Sequence, residues 1–434
     1  MRIVEILLVE APHKPGYMAK VLGVVGEFGA TVEGLNAVRR LDKCTVWEVT
    51  IEYDDSLSFE QLIEQINVLP DTLITGKSDR VFNRHKLGKI ETISKVKIDS
   101  LEILRDVYTP GVARVCQAIQ QDPRKIKEFT NIQNTVAIIT NGTAILGLGD
   151  IGPEAGLPVM EGKAAILAEI VGLSGVPILL KEKDPLKIIE TIEAIAPSFG
   201  AILLEDIKAP ECFTIEEELI RRIPKPVFHD DQHGTAMVVL AALLSATKQA
   251  KVDLKGRVFG QIGLGAAGMG ICNLLLEYGV KDVVGCDLSE GAQKRLRGLG
   301  GKPMSLAEVM ANADVVVATT GVKGLIKPEM VREGQIIMAL TNPDPEIEPN
   351  VALENGALFA TCGKVVNNML AFPGLFKGTL DADVIEITHQ MRIAVSETLS
   401  SLARDGALVP AALNKDAHLQ VAEAVYQAAI NPTK

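Results

Sequence analysis

The sequence has no paired cysteine motif, no block of like charges and no long uninterrupted apolar stretch. Its six cysteines are scattered without a CxxC pair, which excludes a disulfide scaffold and favours a reducing cytoplasm. The longest apolar stretch, "AAILAEIVGLSGVPILL", is interrupted by Glu169 and Pro177, and the N-terminal apolar run contains Glu5 and Glu10. Neither a membrane span nor a signal peptide is therefore predicted.

Basic charge is also scarce. The chain has 44 lysines and arginines against 55 acidic residues, a formal net charge of -11. Nucleic acids and anionic membranes, which are negative themselves, are therefore not expected as partners. The chain does have length and apolar content, since 434 residues with 47% hydrophobic side chains exceed what one core usually supports. Two or three globular domains are expected.

Residues 1–80 predict a small domain of their own. The apolar pattern indicates the order βαββαβ, which is that of a ferredoxin-like unit. The segment "APHKPGYMAKVLGVVGEFGATVEGLNAVR" resembles ACT domains, which bind small effectors. The resemblance implies an effector at the turn of Pro15 and Gly16, while the alternative is a turn that only starts a helix. Residues 81–94 are charged and poor in apolar side chains, which predicts a linker.

The rest of the chain predicts an α/β fold. Over 95–245, apolar strands alternate with helical stretches, which is typical of a parallel sheet covered by helices. The alternation restarts near residue 252, so a second sheet domain is expected over 246–400, followed by C-terminal helices over 401–434.

Two segments match GxGxxG, the pattern of dinucleotide-binding turns. The first, at Gly147, Gly149 and Gly152, is followed by Pro153 and Pro158, which predict that no helix continues. A pattern of this kind needs a strand before it and a helix after it to indicate a nucleotide site. The first match is therefore not expected to bind a dinucleotide.

The second match has the expected context. Gly263, Gly265 and Gly268, with Ala266 and Ala267 between them, follow the strand "GRVFGQI" and precede the apolar stretch "MGICNLLLEYG". Glycines there let the backbone approach a pyrophosphate, which the helix N-terminus stabilises. This segment predicts a Rossmann dinucleotide site.

The next strand of that domain ends at Asp287, 24 positions beyond Gly263. An acidic residue there accepts hydrogen bonds from ribose hydroxyls and disfavours a 2′-phosphate, so NAD is favoured, although Lys294 and Arg295 leave NADP open. Thr320 and Asn342 follow later strands, at the edge where such sheets bind ligands.

Four carboxylates follow two other predicted strands. Glu205 and Asp206 come after "AILL", and Asp230 and Asp231 come after "PVF". Neighbouring parallel strands would bring them to one crevice, where they repel one another unless a cation lies among them. Carboxylate oxygens are hard ligands, which favours Mg²⁺ or Mn²⁺.

The stretch "FHDDQHGTA" also contains His229 and His233, which suggest a zinc site. His229 falls in a strand and His233 at a helix start, so they do not share a helical face and zinc is less favoured. Lys163, in "MEGKAAILAEI", is predicted at the N-terminal turn of a helix, where the dipole and any nearby metal would both disfavour its ammonium form and make it a candidate general base. Tyr108 precedes a Pro-Gly turn, and its spacing alone indicates only a packing role.

Several of these stretches together resemble the malic enzymes of the short bacterial type. The resemblance covers roughly residues 90–400. The motifs that carry it, in order, are "YTPGVARVC", "ILGLGDIGPEAGLPVMEGKAAIL", "LLEDIKAPECF", "VFHDDQHGTA", "GLGAAGMG", "TNPDPEI" and "VVNNML".

The resemblance implies oxidative decarboxylation of malate to pyruvate and CO₂ with reduction of NAD or NADP. Lys163 would take the proton from the C2 hydroxyl, with Asp230 orienting or tuning it, and Tyr108 would donate the proton to C3. Metal ligation falls on three of the carboxylates, and a bound Mg²⁺ or Mn²⁺ would stabilise negative charge that develops on oxygen. These ligands are Glu205, Asp206 and Asp231.

Asn342, Asn367 and Asn368 match amides that hold the substrate carboxylate and the nicotinamide, with Asn368 preferred within the pair. Animal malic enzymes have an arginine just before "ILGLGD", where this chain has Ala144, so substrate anchoring is expected to differ. Malate, a small effector of the ACT-like domain and a second copy of the chain in a homodimer or larger homo-oligomer are the expected partners.

Two other classes of function remain as alternatives. A metal-independent amino-acid or hydroxy-acid dehydrogenase would also join an α/β domain to a Rossmann domain, but it needs no group of four carboxylates. A sensor with a degenerate NAD-binding domain would not be expected to keep Lys163, Tyr108 and the acidic residues together.

Overall fold

The computed structural model describes residues 2–54, 56–145 and 148–431. The described chain divides into two compact units, one up to Glu91 and the other from Thr92. No helix within these ranges is long and apolar enough to cross a membrane.

The N-terminal unit is built on a four-stranded antiparallel sheet in the order β2-β3-β1-β4. Its elements, in chain order, are β1 (Arg2–Pro12), α1 (Tyr17–Glu27), β2 (Thr31–Arg40), β3 (Cys44–Asp54), α2 (Phe59–Asn67), β4 (Leu73–Asp79) and α3 (Arg80–His85). The βαββαβ order expected from the sequence is confirmed. The likeness to ACT domains stays a prediction, and α3 occupies the start of the segment predicted as a linker.

The core of this unit follows from the alternation along its central strands. Leu7 of β1 lies opposite Val49 of β3, and both are fully buried. Helices α1 and α2 cover them with buried apolar side chains that include Val21 and Leu62. An amphipathic strand and an amphipathic helix each need such a partner to remove their apolar side from water.

The second unit contains two parallel sheets with helices around them. Its strands are β5 (Thr135–Thr140), β6 (Ser174–Leu179), β7 (Ala201–Leu204), β8 (Val227–His229), β9 (Val258–Ile262), β10 (Asp282–Cys286), β11 (Lys302–Pro303), β12 (Val315–Ala318), β13 (Ile336–Ala339) and β14 (Phe359–Cys362). Its helices are α4 (Leu101–Val107), α5 (Val112–Gln121), α6 (Ile126–Phe129), α7 (Pro153–Val171), α8 (Pro185–Ile195), α9 (Glu211–Arg222), α10 (Asp230–Ala250), α11 (Ala266–Tyr278), α12 (Glu290–Gly298), α13 (Leu306–Asn312), α14 (Pro349–Glu354), α15 (Phe372–Asp381), α16 (His389–Leu402) and α17 (Lys415–Ile430).

The first sheet has the order β6-β5-β7-β8 and the second the order β11-β10-β9-β12-β13-β14, with every described pairing parallel. The second is the Rossmann order, in which the first half of the strands is added to one side of β9 and the second half, from β12 on, to the other side. The α/β fold is therefore confirmed. The predicted domain boundaries at 245/246 and 400/401 fall inside α10 and α16, and the division into those domains stays a prediction.

Helix α10 lies between the two halves of the second unit. Fourteen of its residues are buried, and it contacts α11 and α16. Its apolar side chains join a core that also contains residues of β5, β9 and β12. A helix that is apolar on all sides belongs in the interior, and here it connects the sheet that carries the carboxylates to the sheet that carries the Rossmann turn.

The segment after the first GxGxxG match corrects one expectation. A helix does follow it, because α7 begins at Pro153 and runs through Pro158. Proline is tolerated at the first helical position, where its missing N–H would have had no helical partner. Gly152 of this match has φ +86°, and its backbone lies so near Gly142 that a Cβ added to Gly142 would fall 2.2 Å from the carbonyl carbon of Gly152. Gly147 lies outside the described residues.

Candidate active site and cofactor site

The four predicted carboxylates converge at one edge of the first sheet. Strands β7 and β8 are neighbours, with Leu204 opposite His229, so the residues that follow each strand meet. Ligand oxygens of Glu205, Asp206 and Asp231 all lie within 4.8 Å of one another. Glu205 and Asp206 are almost fully buried. The convergence of the strand ends that the sequence indicated is present in the structure.

The backbone around Asp206 fixes the distance between the two strand ends. Its amide N–H donates a 2.9 Å hydrogen bond to Oδ2 of Asp231, and its carbonyl accepts one of 3.0 Å from the amide of Ala144. Its φ is +53°, in the left-handed region, where a non-glycine residue is held only by its surroundings. These bonds to two other segments provide that support.

Lys163 lies among these carboxylates. Its Nζ forms an ion pair of 3.0 Å with Oε1 of Glu205 and a shorter one with Oδ2 of Asp230, and its side chain is only 8% exposed. It also lies 4.5 Å from the centre of the Phe372 ring, a cation–π contact. Gly234 makes room for the ion pair, because a Cβ there would fall 1.8 Å from Oδ1 of Asp230.

The position of Lys163 corrects the prediction made from sequence. Lys163 lies in the middle of α7 and not at its N-terminal turn, so the helix dipole does not act on it as expected. Burial by itself would lower the pKa of Lys163, but the carboxylates of Asp230 and Glu205 outweigh burial and hold the pKa above its usual range. These two carboxylates therefore favour the ammonium form of Lys163.

The donor set fits a divalent cation. Lys163 pairs with two of the four carboxylates, and burial together with the neighbouring acids raises the pKa of Glu205 well above its usual range. Oε2 of Glu205 is buried without a hydrogen-bond partner among the described residues. Buried carboxylate oxygens of this kind are satisfied by a metal ion, and an all-oxygen set suits Mg²⁺ or Mn²⁺.

The two histidines of "FHDDQHGTA" are held by Glu216 of α9, which sequence reasoning missed. Its buried carboxylate accepts hydrogen bonds from the amide of His229 (2.7 Å), from Nε2 of Gln232 (2.9 Å) and from the ring of His233 (2.9 Å). All three donors flank Asp230 and Asp231. Glu216 therefore fixes the first turn of α10, and His233 acts through that turn instead of facing the carboxylate cluster.

This network continues toward the Rossmann sheet. Arg392 of α16 donates to Nδ1 of His233 at 2.8 Å and pairs with the carboxylate of Glu277 at the end of α11 at 3.1 Å. Because arginine only donates, Nδ1 of His233 accepts and Nε2 carries the proton to Glu216. Four helices are thereby linked through one chain of polar groups, which is buried at Glu216 and reaches the surface at Glu277.

The second GxGxxG match forms the turn that was expected. Gly263 has φ +88°, and a Cβ on Gly268 would lie 1.9 Å from the carbonyl oxygen of Gly263, so both positions require glycine. A Cβ on Gly265 would meet nothing within 4 Å, which leaves that side of the turn open. Ala266 begins α11, and Ala267 lines an adjacent cavity.

Asp287 follows β10 and closes this turn. Its two carboxylate oxygens accept hydrogen bonds from the amides of Leu264 (2.7 Å) and Ser289 (2.8 Å). Of the two nearby cations, Lys294 is exposed, and the guanidinium of Arg295 lies 5.0 Å from the ring centre of Phe213 on α9. Arg295 is thus engaged with the first sheet domain, which weakens the case for a 2′-phosphate beside Asp287.

A cavity of about 480 Å³ lies beyond the turn. Its lining includes Thr319 and the three predicted amides, Asn342, Asn367 and Asn368. Asn367 is exposed and its Oδ1 accepts from the amide of Met369, whereas Asn368 is half-buried. Thr320 donates from its hydroxyl and its amide to Glu346, another residue that sequence reasoning missed, and its part in cofactor binding stays a prediction.

Tyr108 ends α4, and it remains 67% exposed. Among the described residues it has no side-chain hydrogen bond to the carboxylate cluster. The part assigned to it from the resemblance stays a prediction.

Comparison with known proteins agrees with this arrangement. Residues 87–186 match the family model "Malic enzyme, N-terminal domain", and residues 232–297 match "Malic enzyme, NAD binding domain". The chain is 46% identical over 434 residues to the NAD-dependent malic enzyme 1 of Bacillus subtilis, covering 100% of this chain and 99% of that one. It is 39% identical to the NAD-dependent malic enzyme of Geobacillus stearothermophilus, covering 94% and 91%. A crystal structure of malic enzyme from Pyrococcus horikoshii superposes with a TM-score of 0.76 at 39% identity, covering 80% and 89%.

The Glu216 network gives a first prediction. Glu216→Ala removes the common acceptor of three donors around Asp231, and we expect it to lower the free energy of unfolding by about 3 kcal/mol and to weaken Mn²⁺ binding about tenfold. Urea unfolding and calorimetric titration with Mn²⁺ measure the two effects. Glu217→Ala, an exposed neighbour on α9, is the matched control and should change neither. Unchanged Mn²⁺ affinity in a folded Glu216→Ala protein would contradict the role given to this network.

Proposed function

The chain belongs to the malic enzyme family, and on that premise we propose how its residues convert malate to pyruvate and CO₂ with reduction of NAD. The proposal depends on one observation: the buried side chain of Lys163 is held between Asp230 and Glu205, and Glu205 itself converges with Asp206 and Asp231. The cluster and the Rossmann turn are linked through α10 and α11. The alternative, a metal-independent amino-acid or hydroxy-acid dehydrogenase, would give these buried acids no function.

Lys163 is the general base for the C2 hydroxyl. Its neutral amine accepts that proton as hydride leaves C2 for the nicotinamide, and Asp230 orients the amine. The negative charge of the neighbouring carboxylates raises the pKa of Lys163 and favours its protonated form. A divalent cation held by Glu205, Asp206 and Asp231 would offset this charge and stabilise the oxygen anion that develops when CO₂ departs.

Tyr108 is the proposed proton donor to C3. A phenol near a cation is acidic enough to donate this proton. Tyr108 is highly exposed, so its hydroxyl has no competing bonds within the described chain. Asn342 and Asn368 hold substrate and nicotinamide from the cavity wall. Ala144 stands where animal relatives have arginine, and its side chain offers no charge to the malate carboxylate.

The residues that would hold the cofactor lie at the carboxyl ends of the second sheet. The N-terminus of α11, with Gly263 and Gly268, would hold its pyrophosphate, and Asp287 would hold its adenosine ribose. Asn342, which lines the cavity, would contact the nicotinamide half.

The N-terminal unit binds a small anionic effector. A cavity of about 440 Å³ lies at the turn of Pro15 and Gly16, and His13, Lys14 and Arg40 contribute to its lining. Gly16, with φ +74°, caps α1 without a side-chain hydrogen bond at that end. Three cationic or protonatable groups around one cavity select carboxylates or phosphates.

The active assembly contains at least two copies of the chain. Helices α4 and α5 contain no buried residue, and several large apolar side chains near them are exposed: Ile93 (75%), Ile98 (55%) and Leu101 (72%). We infer that these exposed apolar side chains are covered by a partner and that the partner is a second copy of the chain.

Replacing Lys163 tests the catalytic assignment. Lys163→Ala removes the base, and we expect kcat for malate oxidation to fall by about 10³-fold, while the Kd of NADH changes less than about threefold. Steady-state assays and NADH fluorescence titration give the two values. Lys181→Ala, which removes an exposed lysine paired with Glu154, is the control and should retain full activity.

A Lys163→Ala enzyme within tenfold of wild-type kcat would contradict the assignment. Activity that survives complete removal of divalent metal by EDTA would favour the metal-independent dehydrogenase instead.

The effector cavity is tested by removing its charge. In the double variant His13→Ala, Arg40→Ala, basal kcat should remain within about twofold because neither residue belongs to the catalytic cluster, and any change of kcat/KM caused by succinate or inorganic phosphate should disappear. Malate titrations at increasing anion concentration measure this. A response kept by the double variant, or no response of the wild type to either anion, would contradict the proposal.

The interface is tested by placing charge on the exposed apolar surface. Ile98→Asp together with Leu101→Asp should convert the wild-type oligomer to a species of half its mass or less, since buried unpaired carboxylates oppose association. Sedimentation velocity measures the mass. Leu186→Asp, at an exposed leucine of α8, should leave the oligomer intact. A wild-type monomer would contradict the proposal directly.

A further inference from the structure

Glu346 is a buried carboxylate that joins two loops of the Rossmann sheet. It lies after β13 and has no solvent exposure. Its Oε1 accepts from the amide of Thr320 (2.7 Å), from the hydroxyl of Thr320 (2.9 Å) and from the hydroxyl of Thr341 (2.5 Å). Its Oε2 accepts from the amide of Thr341 at 3.2 Å. The loops that follow β12 and β13 are therefore fastened to one side chain.

The negative charge of Glu346 has no positive partner. Within the described ranges, no lysine, arginine or histidine nitrogen lies within 4.0 Å of its carboxylate, and Lys323 of the adjoining loop pairs with Asp344 at 3.2 Å. Burying a lone carboxylate costs free energy that its hydrogen bonds only partly offset. Two of its donors are backbone amides, which can only donate, so a neutral glutamine would leave one of them facing its own amide group.

The position of Glu346 relates this charge to one half of the cofactor. Asp287, after β10, lies on the side of the sheet where the adenosine half would bind. By the strand order, the nicotinamide half would lie over β12 and β13. The cavity there is lined by Thr341, which hydrogen-bonds to Glu346. It is also lined by Thr319 and Gly321, which flank Thr320, the other partner of Glu346.

We propose that Glu346 is a positioning residue of the nicotinamide site, and that its buried, unpaired charge makes the site bind oxidised NAD in preference to NADH. The oxidised ring carries a positive charge that the reduced ring lacks. A buried negative charge near the ring therefore stabilises only the oxidised form, while the loop contacts serve both forms. The inference rests on the placement of NAD given under Proposed function.

The test separates charge from loop geometry. In Glu346→Gln, calorimetric Kd values for NAD and NADH should both rise, but the ratio of the NADH value to the NAD value should fall about tenfold. Glu346→Asp keeps the charge and should keep the ratio within about threefold. Thr341→Val removes the hydroxyl that donates to Glu346 and accepts from the amide of Gly321 but leaves the charge of Glu346, so both affinities should weaken with the ratio unchanged.

A purely structural role predicts equal weakening of both forms in Glu346→Gln, and that result would overturn the inference. If Glu346→Gln fails to fold, the Kd values of the wild type and of Glu346→Asp test the inference instead. Tighter binding of NADH than of NAD by the wild type would contradict it. Absence of NAD binding by the wild type would instead reject the proposed function itself.

Discussion

The ion cluster of Lys163 with Asp230 and Glu205 is the constraint on which the site depends. It joins α7, the end of β7 and the start of α10 within one buried contact. Removing one partner of a buried ion pair leaves an uncompensated charge, so the backbone must hold these three elements close together. The ring of Phe372, on α15, lies against the ammonium group in a cation–π contact.

The cluster also explains why other polar groups are buried around it. Its carboxylates exceed its cations, which leaves a place for a divalent metal, and the ligand-bearing turn of α10 needs its own support from Glu216. Arg392 and Glu277 extend that support to the helix of the dinucleotide turn. One connected set of polar side chains thus links the metal-binding and cofactor-binding elements.

The sequence predicted the parts that depend on strand ends. Glu205 and Asp231 could be brought together because parallel strands present their carboxyl ends at one edge, and Gly263 could be chosen by the strand and helix around it. The place of Lys163 was wrong because the start of α7 is set by the close approach of Gly142 to Gly152, a tertiary contact. Glu216 was missed for a related reason, since only helix packing brings it to "FHDDQHGTA".

Direct measurement of Mn²⁺ binding tests the central claim, that these carboxylates form one metal site. By electron paramagnetic resonance of free Mn²⁺, the wild type should bind one ion per chain, and Asp231→Asn should bind it more than about 100-fold more weakly. Asp150→Asn, at a partly exposed acid paired with Lys183, should bind like the wild type. Wild-type Mn²⁺ affinity in Asp231→Asn would contradict the account.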